Sequence, residues 1–173
     1  MPAIGALDAS HRPQLDALLQ ATGSFRIDEI DVALELFDET YGAFSHRSAP
    51  ADYEFAAAFD DAGSLTGYCC YGPTPGTDGT YDLYWIAVDP ARQGQGVGSA
   101  LLTEVERRLG DRQARMLVVE TSGRPEYEST RRFYGARGYD LTARLRDFYA
   151  PADDRVVYTR DLSSFHQPAV RGA

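Results

Sequence analysis

The chain has 173 residues, of which 43% are hydrophobic, 12% aromatic and 25% charged, a balance that excludes a disordered or collagen-like protein. Its formal net charge is −9 at pH 7 and its basic residues form no stripe, which excludes nucleic acid and an anionic membrane surface as partners. All 17 basic residues are arginine, which excludes Schiff-base chemistry and a phosphate-loop lysine.

A chain of this length predicts one domain, which we assign to residues 1–162, followed by a frayed tail over 163–173. No stretch reaches the roughly 18 apolar residues of a membrane-spanning helix, and the first residues lack the apolar core of a secretory signal. We therefore expect a cytoplasmic protein. The two cysteines, Cys69 and Cys70, are adjacent, which predicts buried core thiols and neither a disulfide nor a metal site.

The first half of the chain predicts two amphipathic helices followed by a β-hairpin. Leucines at helical spacing follow Ser10, which we expect to be the N-cap, and a glycine ends each helix, Gly23 the first and Gly42 the second. Two apolar runs joined by a short acidic turn predict the hairpin. The predicted elements are helices over 10–22 and 27–41 and strands over 53–59 and 65–71.

Strands and helices alternate from residue 81 onward, a pattern typical of a mixed α/β domain. The predicted elements are a strand over 81–88, a helix over 99–109, a strand over 114–121, a helix over 129–138, and two closing strands over 139–147 and 155–162.

A glycine-rich turn, DPARQGQGVG, connects the first of these strands to its helix. Gly94, Gly96 and Gly98 allow backbone amides to approach a ligand, and the helix start adds positive potential, so the turn predicts a phosphate or pyrophosphate site. A dinucleotide fingerprint would need glycine where Ser99 or Leu101 stands, and a phosphate loop would need a lysine. A nucleotide-dependent enzyme is therefore the weaker alternative.

The segment V-D-P-x-x-Q-G-Q-G-V-G-S-A-L-L resembles the acetyl-CoA signature of the GNAT superfamily of N-acetyltransferases, whose core is Q/R-x-x-G-x-G/A. The resemblance covers about residues 53–162 and, more loosely, the two opening helices. It implies an α/β fold with a mixed, mostly antiparallel central sheet, flanking helices and a splay between the strands YDLYWIAV and ARMLVVET. It implies acetyl-CoA as co-substrate, with no metal, held by Ile86, Ala87, Val88, Gln93, Gly94, Gln95, Gly96, Val97, Gly98 and Ser99. The family's helix asparagine is absent here, and Ser129 or Thr130 is the candidate replacement.

The reaction that the resemblance implies is direct attack of a primary amine on the thioester in a ternary complex. A phenol, with a reference pKa of about 10, can protonate the leaving thiolate. Tyr134 fills the tyrosine position of the family motif F/L-Y-x-x-x-G-F/Y within FYGARGY, so it is the predicted general acid. The candidate bases are Glu120, which ends LVVE, and Asp82, which precedes Val88. A water chain without a protein base is the third alternative.

Charge is distributed unevenly along the chain, with −10 over residues 1–80 and +1 over residues 81–173. The resemblance implies an acceptor site built from the two opening helices, the loop between them and the closing hairpin, so this asymmetry favours a cationic acceptor. A small amine, a polyamine, an aminoglycoside and a peptide N-terminus all stay open. The carboxylates of the second helix also fit a solvated helix face; they are Asp28, Glu29, Asp31, Glu35, Asp38 and Glu39.

Four aromatic residues have two interpretations, as an apolar part of the acceptor pocket or as core: Tyr41, Phe44, Tyr53 and Trp85. The alternative to an enzyme is a module of the same fold that binds acyl-CoA or a partner without turnover. A homodimer formed by edge-strand pairing is also consistent with the family.

Overall fold

The computed structural model describes residues 2–42 and 53–166. The α-helices in these ranges are α1 Arg12–Thr22, α2 Ile27–Tyr41, α3 Val97–Asp111 and α4 Glu128–Ala136. The strands in the same ranges are β1 Ala3–Gly5, β2 Glu54–Phe59, β3 Leu65–Pro73, β4 Thr80–Val88, β5 Met116–Ser122, β6 Asp140–Ala150 and β7 Asp153–Asp161. In the part of the chain so described, no helix is long and apolar enough to cross a bilayer.

The strands form one seven-stranded sheet in the order β1-β2-β3-β4-β5-β7-β6. The β4–β5 pair is parallel, whereas β1–β2, β2–β3, β5–β7 and β6–β7 are antiparallel. The parallel ladder runs from Thr80↔Met116 to Leu83↔Val119, and β4 itself continues to Val88. The prediction of a mixed, mostly antiparallel sheet with flanking helices is confirmed.

The described residues divide into two compact units. The first unit lies within Met1–Gly72 and Trp85–Arg107, and the second within Pro73–Tyr84 and Arg108–Ala173. The single domain over 1–162 stays a prediction, as does the frayed tail. Ser163–His166 form a 3-10 helical turn, and residues 167–173 lie outside the described part of the chain.

The helices α1 and α2 of the first unit are amphipathic, as the spacing of their apolar residues predicts. Their buried side chains join residues of β2 and β3 in one hydrophobic core. The prediction of Ser10 as N-cap is wrong, because Asp8 caps a preceding 3-10 turn by accepting a hydrogen bond from the Ser10 amide at 2.8 Å. The helix itself begins at Arg12 and ends before Gly23, whose φ of +62° only glycine adopts readily.

The predicted hairpin between β2 and β3 is confirmed. Its turn closes when the Gly63 amide donates to the Asp60 carbonyl at 2.9 Å. Cys69 and Cys70 lie on β3 as fully buried thiols, as expected from their spacing. Burial raises the pKa of the Cys70 thiol, so the thiol stays protonated in the folded chain.

The β5–β7 pair of the second unit has one covered and one open face. Leu117 and Val119 on β5 are buried, as are Val156 and Tyr158 on β7, and the register pairs Val119 with Tyr158. Helix α4 covers this face, since the Tyr134 ring lies 5.8 Å from the Tyr158 ring. Residues at the alternate positions project from the opposite face.

Candidate functional site

The glycine turn of the first unit is an exposed loop between β4 and α3. It begins at Asp89, whose Oδ1 accepts a hydrogen bond from the Ala91 amide at 2.8 Å. Gly94 has φ +74° and Gly96 has φ +84°, and a Cβ at either position would meet nothing within 4 Å. Since both residues lack a side chain and face open space, the backbone of the turn is accessible to a ligand.

Helix α3 adds free backbone amides to this turn. Its first helical hydrogen bond runs from the Ala100 amide to the Gly96 carbonyl at 2.9 Å. The amides of Val97, Gly98 and Ser99 therefore precede the helical ladder and have no acceptor within the helix. Amides at a helix start carry the positive end of the helix dipole, so this turn fits an anion such as a pyrophosphate.

Gly67 on β3 lets α3 start close to the sheet. A Cβ at this position would lie 2.8 Å from Val97 Cγ1, 3.0 Å from the Ala87 carbonyl oxygen and 3.2 Å from Leu101 Cδ1. Any side chain here would push the helix start away from the strand. Sequence reasoning missed Gly67, because its requirement comes from packing against residues about twenty to thirty positions away.

Two further contacts hold the glycine turn in place. The Asp89 amide donates to the Thr66 carbonyl at 2.9 Å, and Arg92 Nη2 lies 3.0 Å from Asp60 Oδ2 in the β2–β3 turn. The strand residues that lead into the turn, Ile86 and Val88, are half-buried. The first unit thus brings together in one continuous segment the residues 86–88 and 93–99 that the sequence singled out.

In the second unit, the predicted acid Tyr134 is 2% exposed and lies on α4. Its ring packs among those of Tyr139, at 5.6 Å, and Tyr158, at 5.8 Å. The candidate ligands Ser129 and Thr130 occupy the first turn of the same helix, where Ser129 is exposed and Thr130 half-buried.

The two candidate bases share the open face of the second unit. The register pairs Asp82 with Val118, and Glu120 follows Val118 by two residues on β5, so both carboxylates project from one side of the sheet. Tyr134 lies on the opposite side of the sheet, where its ring packs against the ring of Tyr158. The Asp82 carboxylate accepts a hydrogen bond from Thr74 Oγ1 at 2.7 Å.

Glu120 is ion-paired with a residue that the sequence did not single out. Its Oε1 accepts a hydrogen bond from Arg155 Nη2, and the Arg155 guanidinium lies over the Phe148 ring at 4.9 Å. The side chains of the pair are 31% and 36% exposed, so the ion pair contributes about 0–1 kcal/mol to stability. The β5–β7 register brings Glu120 and Arg155 together across 35 residues of sequence, and the β6–β7 pairing adds Phe148.

Two of the acidic residues of α2, Asp28 and Asp38, pair with arginines. Both carboxylate oxygens of Asp38 share the Nε–H of Arg12 in a bifurcated hydrogen bond. Arg26 donates to Asp28, which lowers the pKa of that carboxyl. Of the aromatic residues considered for the acceptor pocket, Tyr41, Tyr53 and Trp85 pack against the core of the first unit, and Phe44 lies outside the described residues.

The mixed sheet thus carries, between a strand and a helix start, a turn whose backbone fits a phosphate-bearing ligand. A model of the acetyltransferase (GNAT) family matches residues 18–139. The chain therefore belongs to the acetyltransferase (GNAT) family.

Solved structures agree with this assignment. A protein of the GNAT family from Desulfovibrio desulfuricans is 41% identical, with a TM-score of 0.84 over 94% of this chain and 99% of that chain. The ribosomal-protein-S18-alanine N-acetyltransferase from Escherichia coli shares the fold at 18% identity and a TM-score of 0.73, over 100% and 99% of the two chains. An aminoglycoside 6'-N-acetyltransferase complexed with coenzyme A shares it at 16% identity and 0.71, over 92% and 97%. No curated protein matches the chain.

The described residues also bear on metal binding. Within 2–42 and 53–166, no group of three or more histidine, cysteine, aspartate or glutamate side chains is placed to hold a metal ion.

Proposed function

We propose that this protein transfers an acetyl group from acetyl-CoA to a primary amine of a cationic acceptor, by direct attack in a ternary complex, in the cytoplasm. The observation that carries the proposal is the glycine turn, in which open positive-φ glycines precede the unpaired amides of the α3 start. Acetyl-CoA fits this turn, because its pyrophosphate is the anion that such amides bind. The family assignment supports the same donor.

Residues of the second unit supply the proton transfers. Asp82 or Glu120 takes the proton that the acceptor ammonium must lose before its nitrogen can attack the acetyl carbon. The Tyr134 hydroxyl gives a proton to the sulfur as the carbon–sulfur bond breaks.

Between the carboxylates, we favour Asp82 as the base. Its described partner is the Thr74 hydroxyl, a neutral hydrogen-bond donor. The Glu120 carboxylate instead contacts the cationic guanidinium of Arg155, which competes with an incoming ammonium. Glu120 is therefore the less suitable base.

A groove of the first unit supports a cationic acceptor. It lies between α1 and α2, has a volume of about 430 Å³, and combines Asp16 and Asp31 with the apolar side chains of Ile27 and Ile30. Its one basic lining residue, Arg12, already pairs with Asp38 at 2.8 Å. An aliphatic ammonium matches this combination of carboxylates and apolar surface.

The experiment that tests the proposal is a calorimetric titration of the purified protein with acetyl-CoA, ATP and NAD in parallel, followed by a thiol-release screen over cationic amines. We expect saturable binding of acetyl-CoA alone and amine-dependent release of thiol. Binding of acetyl-CoA without release for any amine would favour the non-catalytic module. Binding of ATP or NAD in its place would overturn the assignment of the glycine turn.

A further inference from the structure

One guanidinium on the open face of the second unit lies between a carboxylate and an aromatic ring. Arg155 donates to Glu120 and lies 4.9 Å from the centroid of the Phe148 ring. A carboxylate beside an aromatic face is a combination that binds organic cations, because charge attraction and the ring quadrupole act together. We infer that Glu120 and Phe148 form a subsite for a cationic group of the acceptor, and that Arg155 occupies this subsite until the acceptor displaces it. The inference rests on the proposed function, since it specifies how that acceptor is recognised.

The contacts of Arg155 make it a replaceable occupant. Its Nε is buried and has no hydrogen-bond partner among the described residues, so the guanidinium is incompletely satisfied where it lies. Its side chain is still 31% exposed, and a short movement would hydrate it fully. Leaving the subsite therefore restores hydrogen bonds to water that the resting position does not provide.

The neighbouring ion pair of the closing hairpin differs from this one. Arg144 donates to Asp154, whose other oxygen accepts a backbone hydrogen bond from Asp147 at 3.0 Å. Asp154 is thus built into the hairpin, whereas in the described part of the chain Arg155 is the one hydrogen-bond partner of Glu120. The Glu120 carboxylate is available to another cation once Arg155 moves.

Apolar surface adjoins the subsite and indicates the rest of the ligand. Leu145 is the cross-strand partner of Arg155 and is 42% exposed, and Phe148 is 49% exposed. A cation carried on an aliphatic chain of several carbons would cover both side chains. The ligand class is therefore an alkyl amine or diamine.

The test compares Arg155→Met and Phe148→Leu with Arg144→Met as the matched control, using 1,5-diaminopentane and pentylamine as probes. Arg155→Met frees the carboxylate and the ring, so we expect the KM for 1,5-diaminopentane to fall about three- to tenfold. Phe148→Leu removes the ring, so we expect the KM to rise about two- to fivefold. The control should leave the KM within about twofold of wild type.

The diagnostic result is that the KM falls in Arg155→Met and rises in Phe148→Leu, because damage to the fold would change the KM of both variants in the same direction. If Arg155→Met lowers the KM for both probes, the cation bound in the subsite is the ammonium that reacts. If it lowers the KM for the diamine alone, the bound cation is the second, unreacting ammonium. Either result supports the subsite. An unchanged or raised KM in Arg155→Met overturns the subsite. Arg155→Gln also removes the guanidinium, so its KM should change in the same direction as that of Arg155→Met.

The proposed function and the subsite fail in different ways. The proposed function fails if wild type binds acetyl-CoA but none of the amines tested causes thiol release. In that case calorimetric titration with 1,5-diaminopentane still tests the subsite. Tighter binding of the diamine by Arg155→Met than by wild type would then support the subsite. Equal or weaker binding would overturn it.

Discussion

The glycine turn of the first unit and the open face of the second are built by different means. The turn offers backbone amides, and its shape comes from residues adjacent in sequence, Gly94 and Gly96 above all. The open face offers side chains from separate strands, which meet only through the β4–β5, β5–β7 and β6–β7 registers. A backbone site is therefore encoded locally, whereas a side-chain site is encoded by the pairing of distant segments.

The largest effect should come from Tyr134→Phe, which tests whether the second unit supplies the acid. The ring and its contacts with Tyr139 and Tyr158 remain, and the hydroxyl is lost. We expect kcat to fall about 100- to 10,000-fold, as for loss of a general acid, with acetyl-CoA affinity within about threefold of wild type. Steady-state kinetics and calorimetry measure the two quantities, with Tyr158→Phe as control. A kcat near the wild-type value would remove Tyr134 from the mechanism.

The two carboxylates of the open face can be separated by a pair of isosteric variants. We expect Asp82→Asn to lower kcat about 100-fold, because it removes the favoured base. Glu120→Gln should mainly raise the KM for the amine, about tenfold, because it removes one charge from the acceptor contact. Kinetics over a series of amine concentrations give both parameters. If Glu120→Gln lowers kcat and Asp82→Asn raises the KM, Glu120 is the base. If neither variant changes kcat, a water chain takes the proton.

The glycine turn is tested by Gly96→Glu, which introduces a side chain and a negative charge where the anion should bind. We expect acetyl-CoA affinity to fall at least about 100-fold, since like charges in contact cost several kcal/mol. Gly76→Glu is the matched control, because Gly76 has φ +73° and open space like Gly96, with φ +84°. Calorimetry should show normal acetyl-CoA binding for the control. Normal binding by Gly96→Glu would mean that the pyrophosphate binds elsewhere.

The smallest effect should come from the packing of the α3 start against Gly67 on β3, next to the glycine turn. Gly67→Ala should destabilise the fold by about 1–3 kcal/mol, because the added Cβ would come within 3.0 Å of a backbone oxygen and closer still to Val97. Gly135→Ala on α4 is the control, since a Cβ there meets nothing within 4 Å and alanine favours a helix. Urea denaturation should therefore show shifts of opposite sign. Equal stability for Gly67→Ala and wild type would show that α3 can move away from β3 at no cost.

Sequence reasoning succeeded where one local pattern determines the structure. Helix α2 has the predicted bounds, Ile27–Tyr41, because an apolar face with 3.6-residue spacing and a following glycine are both visible in the sequence. The glycine turn was identified for the same reason. The three-residue strand Ala3–Gly5 was missed, since so short a segment shows no period and is held by pairing with β2.

Features that depend on distant partners could not be predicted from the sequence. The α1 start was misplaced because a 3-10 turn over Ala9–His11, capped by Asp8, precedes the helix, and only the backbone shows where that turn ends. Arg155 and Phe148 were missed because their relation to Glu120 needs the register of three strands. The choice between Asp82 and Glu120 as base likewise depended on their partners, Thr74 and Arg155, and no rule of sequence spacing predicts these two contacts.

The burial of the two cysteines has a practical consequence for measuring thiol release with a disulfide reagent. Cys69 and Cys70 have no exposed surface, and burial keeps the Cys70 thiol in its unreactive protonated form. The folded enzyme should therefore contribute no background colour to the assay. A variant that unfolds would expose two thiols per chain and give a signal before any amine is added, so the same reagent reports turnover and loss of structure at separate times.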